Sequence, residues 1–368
     1  MSQIIMLSWH PGESALKTAG GFTRAYEIVK RTNQPLIILD KHPSLFSELD
    51  SPKVRVLEYS VPSFNFLNST FPLINKFIDR LLTPIGLLSV FYRHKLSPTQ
   101  IYVPYSELPQ LTLTGVVLKF LTRSKLILCN LNINSLFLDR VLNVILHKFS
   151  DKTITISQNL ADQLKKTGII CQFINGVGFD ASIYKQNHLV DEKYDAIFIG
   201  RHTPEKGIVD LIKIWDILVN KLGHKYTLIT VGDIPGYMSG HIDSLISQYG
   251  LGGLVKLRGK VNDLEKNKLL KKSRICVFPS RQEGWGIVPM EALTSGLPVV
   301  AYNLPVYSES IGDTPGFFVI EVGDLLGFAR KIEEVSTNIP KYSLLAKKWR
   351  PRHTWDSIAQ KELEIICS

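Results

Sequence analysis

Short, almost unbroken apolar runs recur along the chain between longer stretches of helical periodicity. The first half carries IIMLSW (4–9), PLIILD (35–40), VRVLEY (54–59), IYVPY (101–105), KLILCNL (125–131) and KTITIS (152–157). The second half carries YDAIFIG (194–200), YTLITVG (226–232), LVKLRG (254–259), ICVFPS (275–280), PVVAYN (298–303) and FFVIEV (317–322). Runs that are apolar throughout, instead of at alternate positions, predict parallel strands covered on both faces. Strand–helix alternation carried through twice predicts an α/β chain with two doubly wound, Rossmann-like domains. Parallel sheets take ligands beyond the carboxyl ends of their strands, so two such domains facing each other make a cleft. The polar, turn-rich FINGVGFDASIYKQNHLVDEKYD (173–195) marks the boundary region, and residues 346–368 read as a closing helix.

Composition narrows this picture. At 368 residues the chain exceeds one ordinary hydrophobic core. The four cysteines, Cys129, Cys171, Cys276 and Cys367, form no CxxC and no cluster with histidine. That argues against a disulfide framework or structural zinc and fits a reducing, cytoplasmic setting. The start, MSQIIMLSWHPGE, has no basic segment before its apolar run and does not read as a signal peptide. The longest uncharged apolar stretch, 81–92, falls short of the roughly 20 residues a spanning helix needs. Net charge is +10, with 19 Lys/Arg against 12 Asp/Glu in residues 1–180. A basic excess fits an anionic partner, or solubility alone. Dispersed basic residues without interleaved aromatics argue against nucleic acid. Residues 64–95, apolar and aromatic with Lys76, Arg80, Arg93 and Lys95, suit either peripheral contact with an anionic membrane or a core-packed helix pair broken by Pro72 and Pro84.

Three stretches carry candidate chemistry. In EGWGIVPMEALTSGLPVV (283–300), Pro289 suits the first turn of a helix that Gly296 ends. Glu283 then lies on the loop after a strand and Glu291 near the helix start. Gly284 and Gly286 let backbone N–H groups approach a ligand, at a helix end that favours negative charge. The arrangement suits a phosphate beside a hydroxyl-rich ligand, with two capping acids as the plainer reading. In GRHTPEKG (200–207), Arg201 and Lys206 sit around a turn at a strand end, where two fixed cations can hold a diphosphate. In TAGGFTRAYEIVKR, Gly20 and Gly21 open an amphipathic helix, either as a turn or as a place for close approach of phosphate or sugar. GxGxxG is absent, so a dinucleotide fingerprint is not supported.

Taken together, PSRQEGWGIVPMEALTSGLPVVA with its Glu283-x7-Glu291 spacing, GRHTPEKG and FINGVGFD resemble the family-4 glycosyltransferases of the GT-B fold. VGDIPGY (231–237), LRGKVND (257–263) and HTWDSIAQKEL (353–363) extend the likeness, strongly over about half the chain and loosely over the first domain. The resemblance implies an N-terminal acceptor-side domain of residues 1–172 plus 352–368, reached by a C-terminal helix that crosses back, and a donor domain of residues 173–351. It implies a UDP or GDP sugar as donor, retention of anomeric configuration, a hexosyl group transferred, and no cofactor or metal. Glu291 would accept from the ribose and Glu283 from the sugar. Backbone amides around Gly284, Trp285, Gly286, Ile287 and Val288 would hold phosphate and sugar. Arg201 and Lys206 would clamp the diphosphate, Val261 or Lys260 would lie near the base, and Gly20 and Gly21 would approach from the first domain. The Asp-x-Asp metal motif of the other main glycosyltransferase fold is absent.

One departure concerns the acceptor side. Where relatives place a histidine after the strand corresponding to KLILCNL, this chain has CNLNINSLF, with Asn130 and Asn132 in that neighbourhood. Asparagine hydrogen-bonds a hydroxyl but takes up no charge. His10, at the end of the first strand, is an alternative. The expected function is transfer of a sugar to a hydroxyl of a glycan, a lipid-linked or a phosphorylated acceptor. A GT-B epimerase, a phosphorylase-like enzyme and a non-catalytic sugar-nucleotide-binding protein share these features.

Overall fold

The structure, a computed structural model, describes residues 3–8, 20–42, 46, 49, 51–61, 72–133, 137–184 and 194–368. The chain divides into two compact units, Met1–Gly178 with His353–Ser368, and Phe179–Arg352.

The first unit is built on a parallel sheet of seven strands: β1 (Ile4–Leu7), β2 (Leu36–Asp40), β3 (Val54–Glu58), β4 (Gln100–Val103), β5 (Lys125–Asn130), β6 (Lys152–Thr155) and β7 (Phe173–Ile174). They lie in the order β3-β2-β1-β4-β5-β6-β7. Helices α1 (Gly20–Lys30), α2 (Pro72–Arg93), α3 (Pro109–Thr122), α4 (Phe137–His147) and α5 (Gln158–Thr167) connect them. β1 and β2 are buried along their whole length, as continuous apolar runs require. Leu87, Val90 and Phe91 of α2, Leu111, Val116 and Leu118 of α3, and Leu146 of α4 pack into one core on one face of this sheet. α2 runs as a single helix through Pro84, not as a pair. Residues 64–71, the start of the stretch expected at a membrane, lie outside the described residues.

The second unit carries a parallel sheet of six: β8 (Tyr194–Ile199), β9 (Leu228–Val231), β10 (Val255–Leu257), β11 (Ser273–Phe278), β12 (Val299–Tyr302) and β13 (Phe317–Ile320), ordered β10-β9-β8-β11-β12-β13. Its helices are α6 (Ile208–Asp216), α7 (Gly236–Gln248), α8 (Asp263–Lys271), α9 (Ile287–Thr294), α10 (Val306–Ser310), α11 (Leu325–Ser336) and α12 (Ile339–Ala346). Its core gathers Trp215, Phe198, Tyr302 and Phe328.

The border expected between residues 172 and 173 falls inside the first sheet. The reason is β7, whose Phe173 and Ile174 pair with Ile154 and Thr155 of β6, so the chain leaves this unit only after Gly178. The last helix, α13 (Trp355–Cys367), belongs to the first unit and packs on α1. A fully buried charge network holds it there. Arg24 of α1 donates from Nη1 to Glu362 Oε1 at 2.7 Å, and from Nη2 to Oε2. Tyr102 of β4 donates its hydroxyl to Oε1, and Asn175 donates Nδ2 to Oε2 at 2.8 Å.

Candidate functional site

In the second sheet the strand order reverses between β8 and β11: β9 and β10 extend one way, β12 and β13 the other. Such a switch point opens a crevice beyond the strand carboxyl ends, because the two following loops run off in opposite directions. The loop after β8 is GRHTPEKG, and the loop after β11 is PSRQEGWG. Two of the three stretches singled out by sequence therefore meet at one place.

Their meeting is specific. Lys206 donates from Nζ to Glu283 Oε1 at 2.6 Å and to the Gln282 carbonyl at 3.3 Å. The two backbones are stitched as well: Arg281 N donates to Glu205 O at 2.9 Å. Arg281 also reaches back to α6, donating from Nε to Asp210 Oδ2 at 2.9 Å, and Tyr302 of β12 donates to the same oxygen at 3.0 Å. Gly207 has φ 76°, and a Cβ there would lie 1.8 Å from the Pro279 carbonyl oxygen, so only glycine lets the loops approach this closely. Arg201 is exposed, and its guanidinium makes no hydrogen bond or ion pair among the described residues. Next to it, His202 is fully buried, with Nε2 2.7 Å from Thr230 Oγ1 and burial pulling its pKa down.

Glu291, in the second turn of α9, is only 5% exposed. Its Oε1 accepts from the Tyr184 hydroxyl and from Lys266 Nζ, both at 2.7 Å. Its Oε2 is buried and has no hydrogen-bond partner among the described residues. A buried carboxylate oxygen left unpaired is costly, and a ligand hydroxyl would relieve the cost. Burial would push the Lys266 ammonium down, but the Glu291 and Asp263 carboxylates more than reverse it. Burial and the Glu291 charge together raise the Tyr184 phenol. Lys266 sits on α8, just after Val261, which is half-buried, and Lys260, which is exposed.

Between the two acids, Gly286 caps α9 with φ 87°, where a Cβ would meet the Tyr307 ring at 2.7 Å. Gly284 is half-buried and Trp285 buried, while Ile287 and Val288 form the half-buried first turn. The Tyr307 hydroxyl is buried without a partner among the described residues, and burial with the Glu283 charge raises its pKa. Sequence reasoning missed Tyr184, Lys266 and Tyr307. Each comes from a different element, and no local motif announces it.

The candidates in the first half of the chain, Gly20 and Gly21 for the donor and His10, Asn130 and Asn132 for the acceptor, fare differently. Gly20 and Gly21 are the first two residues of α1, and His10 lies outside the described residues. Asn130, at the end of β5, is buried with Nδ2 2.8 Å from His147 Nε2, so its amide is already engaged. His147 also lies 2.7 Å from the Asn143 carbonyl through Nδ1, and burial pushes its pKa down to about 4. Asn132 is exposed, and its Oδ1 accepts from the Ile133 N–H at 2.8 Å. A titratable group the sequence did not suggest is Glu107, which follows β4. Burial pushes its carboxyl up to about 7, against the pull of its own N–H, the Leu131 N–H and Arg24.

Glu107 thus holds a proton in the folded chain between its ordinary 4.5 and about 7, where the unfolded chain has lost it. Stability from this group falls as pH rises through that window. His147 acts oppositely, since between about 4 and 6.5 the unfolded chain binds the proton that the fold excludes. Glu107→Gln is expected to raise the melting temperature at pH 8 by about 2–5 °C and to leave it unchanged at pH 4. Thermal unfolding across pH checks this, and an equal shift at both pH values would refute it.

Comparison with known proteins adds the family. Residues 180–351 match the family described as glycosyl transferases group 1. An uncharacterized glycosyltransferase of Methanocaldococcus jannaschii is 24% identical over 59% of this chain and 60% of its own length. A capsular polysaccharide biosynthesis glycosyltransferase of Staphylococcus aureus is 26% identical over 49% of this chain and 48% of its own. An Escherichia coli O-antigen chain mannosyltransferase is 28% identical over 45% and 40%. The chain thus spans roughly half the length of these curated relatives. Among solved structures, Anabaena HepE in complex with UDP and glucose superposes with TM-score 0.76 at 18% identity over 100% of both chains. The sucrose-phosphate synthase of Thermosynechococcus elongatus does so with TM-score 0.78 at 15% identity over 99% of this chain and 98% of its own. The chain has the GT-B fold, and residues 180–351, nearly all of its second unit, match the glycosyl transferases group 1.

Proposed function

We propose that this chain is a retaining glycosyltransferase that moves a hexosyl group from a nucleoside-diphosphate sugar to a hydroxyl of a glycan or lipid-linked acceptor. The observation that carries the reading is the unpaired, buried Oε2 of Glu291 beside the Lys206–Glu283 pair, at the switch point of the second sheet. In this reading Oε2 takes a ribose hydroxyl, while Tyr184 and Lys266 hold the carboxylate from its other oxygen. Glu283 receives the sugar hydroxyls, and the N–H groups from Gly284 to Val288, at the start of α9, take phosphate and sugar. Val261 or Lys260 lies toward the base.

Arg201 and Lys206 supply the positive charge for the departing diphosphate, so the step is written without a metal. The acceptor oxygen bonds to the anomeric carbon, the bond from that carbon to the diphosphate oxygen breaks, and the acceptor proton passes to the leaving diphosphate. Names of similar proteins, a capsular polysaccharide glycosyltransferase and an O-antigen mannosyltransferase, favour a surface-glycan acceptor. The basic first half of the chain suits a phosphorylated or lipid-linked one. The reading includes a cytoplasmic location, which the use of nucleotide sugars supports and with which the free cysteines are compatible.

A thermal-shift screen of UDP, GDP and ADP sugars tests the reading, since a ligand of the folded state alone raises its melting point. One donor class is expected to stabilise the chain. Glu291→Gln is expected to weaken that donor by about 10–100-fold, the worth of a hydrogen bond to a charged group. Lack of response to every nucleotide sugar, or undiminished affinity in the variant, would end the proposal. Conversion of the donor sugar without any acceptor would favour an epimerase instead.

A further inference from the structure

Helix α4 of the first unit is turned inside out. Phe137, Leu138, Val141, Leu142 and Ile145 are all exposed, Leu138 to 78%. At 3.6 residues per turn they fall within an arc of about 140°. The opposite face is the buried one, and it is largely polar: Asn143 and His147 flank Leu146. The His147 ring is held by the Asn143 carbonyl, by Asn130 and by Ser106 Oγ at 3.3 Å. The helix therefore fastens itself through polar contacts and one leucine, and spends its apolar side on the outside. An amphipathic helix in water does the reverse.

The apolar surface continues onto neighbouring elements. Phe149 packs edge-on against Phe120 of α3 at 5.7 Å, and Phe120 and Leu121 are 64% and 53% exposed. Lys119 of α3 donates to the Phe149 carbonyl at 2.9 Å, which fixes the two helix ends together. On the other side, a Cβ on Gly168 would lie 3.3 Å from Val144, so the end of α5 adjoins α4, and Ile170 beyond it is 71% exposed. Contiguous apolar surface of this kind marks an interaction site. Its surroundings say of what kind. Arg123 after α3, Lys148 after α4, and Lys165 and Lys166 at the end of α5 are exposed. Of the nearby acids, Asp151 is taken by Lys119 at 2.7 Å, Asp162 by Gln158, and Asp139 is half-buried.

We propose that this face of α4, with the adjoining ends of α3 and α5, docks on an anionic lipid surface. The aromatic and aliphatic side chains enter the headgroup boundary while the lysines and arginine meet lipid phosphates. Among the described residues no helix is long and apolar enough to cross a membrane, so the contact is peripheral. The sequence pointed to residues 64–95, where Leu81, Ile85 and Tyr92 of α2 are also exposed; the signal there was composition, whereas here it is a helix whose buried face is largely polar. Docking does not depend on the donor chemistry proposed above.

Co-sedimentation of the full chain with phosphatidylglycerol–phosphatidylcholine vesicles, and with phosphatidylcholine alone, tests it. Wild type is expected to pellet with the anionic vesicles, less as salt rises, and to stay in solution with the neutral ones. Phe137→Ser with Leu138→Ser is expected to lower the partition coefficient by about tenfold or more, since both side chains lose apolar burial. Lys165→Glu with Lys166→Glu, at exposed sites that leave folding untouched, is expected to lower it comparably. An unbound wild type, or binding indifferent to both variants, overturns the proposal. So does a wild-type dimer in sedimentation velocity that Phe137→Ser with Leu138→Ser makes monomeric without changing vesicle binding, since the face would then serve a second copy.

Discussion

Replacing Arg201 and Lys206 together by alanine is expected to lower kcat by about 10⁴-fold, with a smaller change in KM for the donor. The estimate follows from losses of about 10²–10³ for one preorganised group that stabilises transition-state charge. The two cations lie on the loop after β8: Lys206 pairs with Glu283, and the Arg201 guanidinium has no partner among the described residues. In the proposed reaction they act on one departing group, so their effects need not multiply. Steady-state kinetics with the donor class found by thermal shift decides the matter, and near-wild-type turnover in the double variant would remove these residues from the chemistry. A single Lys206→Met adds a second reading, because it also strands the Glu283 carboxylate. If Glu283 meets the sugar, this variant should lose donor affinity as well as rate.

The largest expected loss of stability lies in the first unit. Glu362→Ala removes the acceptor for Arg24, Tyr102 and Asn175 at once, at a fully buried place. Breaking a buried pair by deleting one member costs about 3–5 kcal/mol, so the melting temperature is expected to fall by about 10 °C. Replacing Arg24 and Glu362 together by methionine should recover most of the loss, because no charge is then left buried alone. Thermal unfolding of these two variants beside wild type checks this. A double variant as unstable as Glu362→Ala would show that the network specifies the seat of α13 and does more than neutralise itself.

The twelve apolar runs of the sequence all became strands, because a strand buried on both faces has to be apolar at every position. β7 escaped notice since two residues, one of them exposed, leave no periodicity to read. That omission alone moved the expected border by six residues. At the site, Glu283, Lys206 and Arg201 were legible because each lies within a few residues of a strand end and a turn glycine. Lys266 and Tyr184 were not, as they meet Glu291 from positions 25 and 107 residues away. Asn130 shows the opposite limit. Its position at a strand end pointed to a ligand, while its amide had been claimed by His147, a residue whose burial the sequence does not reveal.

Gly207 and Gly286 have a bearing on how this scaffold can be altered. Each is fixed in a left-handed conformation and pressed against a neighbour, one against the backbone of the facing loop, the other against the Tyr307 ring. At Gly207 the spacing of the two loops is therefore set by main chain, and the Lys206–Glu283 pair adds to it. Under the proposed function, an engineer wishing to change which sugar is accepted has fixed rails to work with: exposed or half-buried positions such as Gln282 and Val288 can be varied in libraries with the loop geometry kept. Lengthening either loop at its glycine would instead move both acids and both cations together. Donor preference in this framework should evolve by exchange of side chains, with insertions confined to other edges of the sheet.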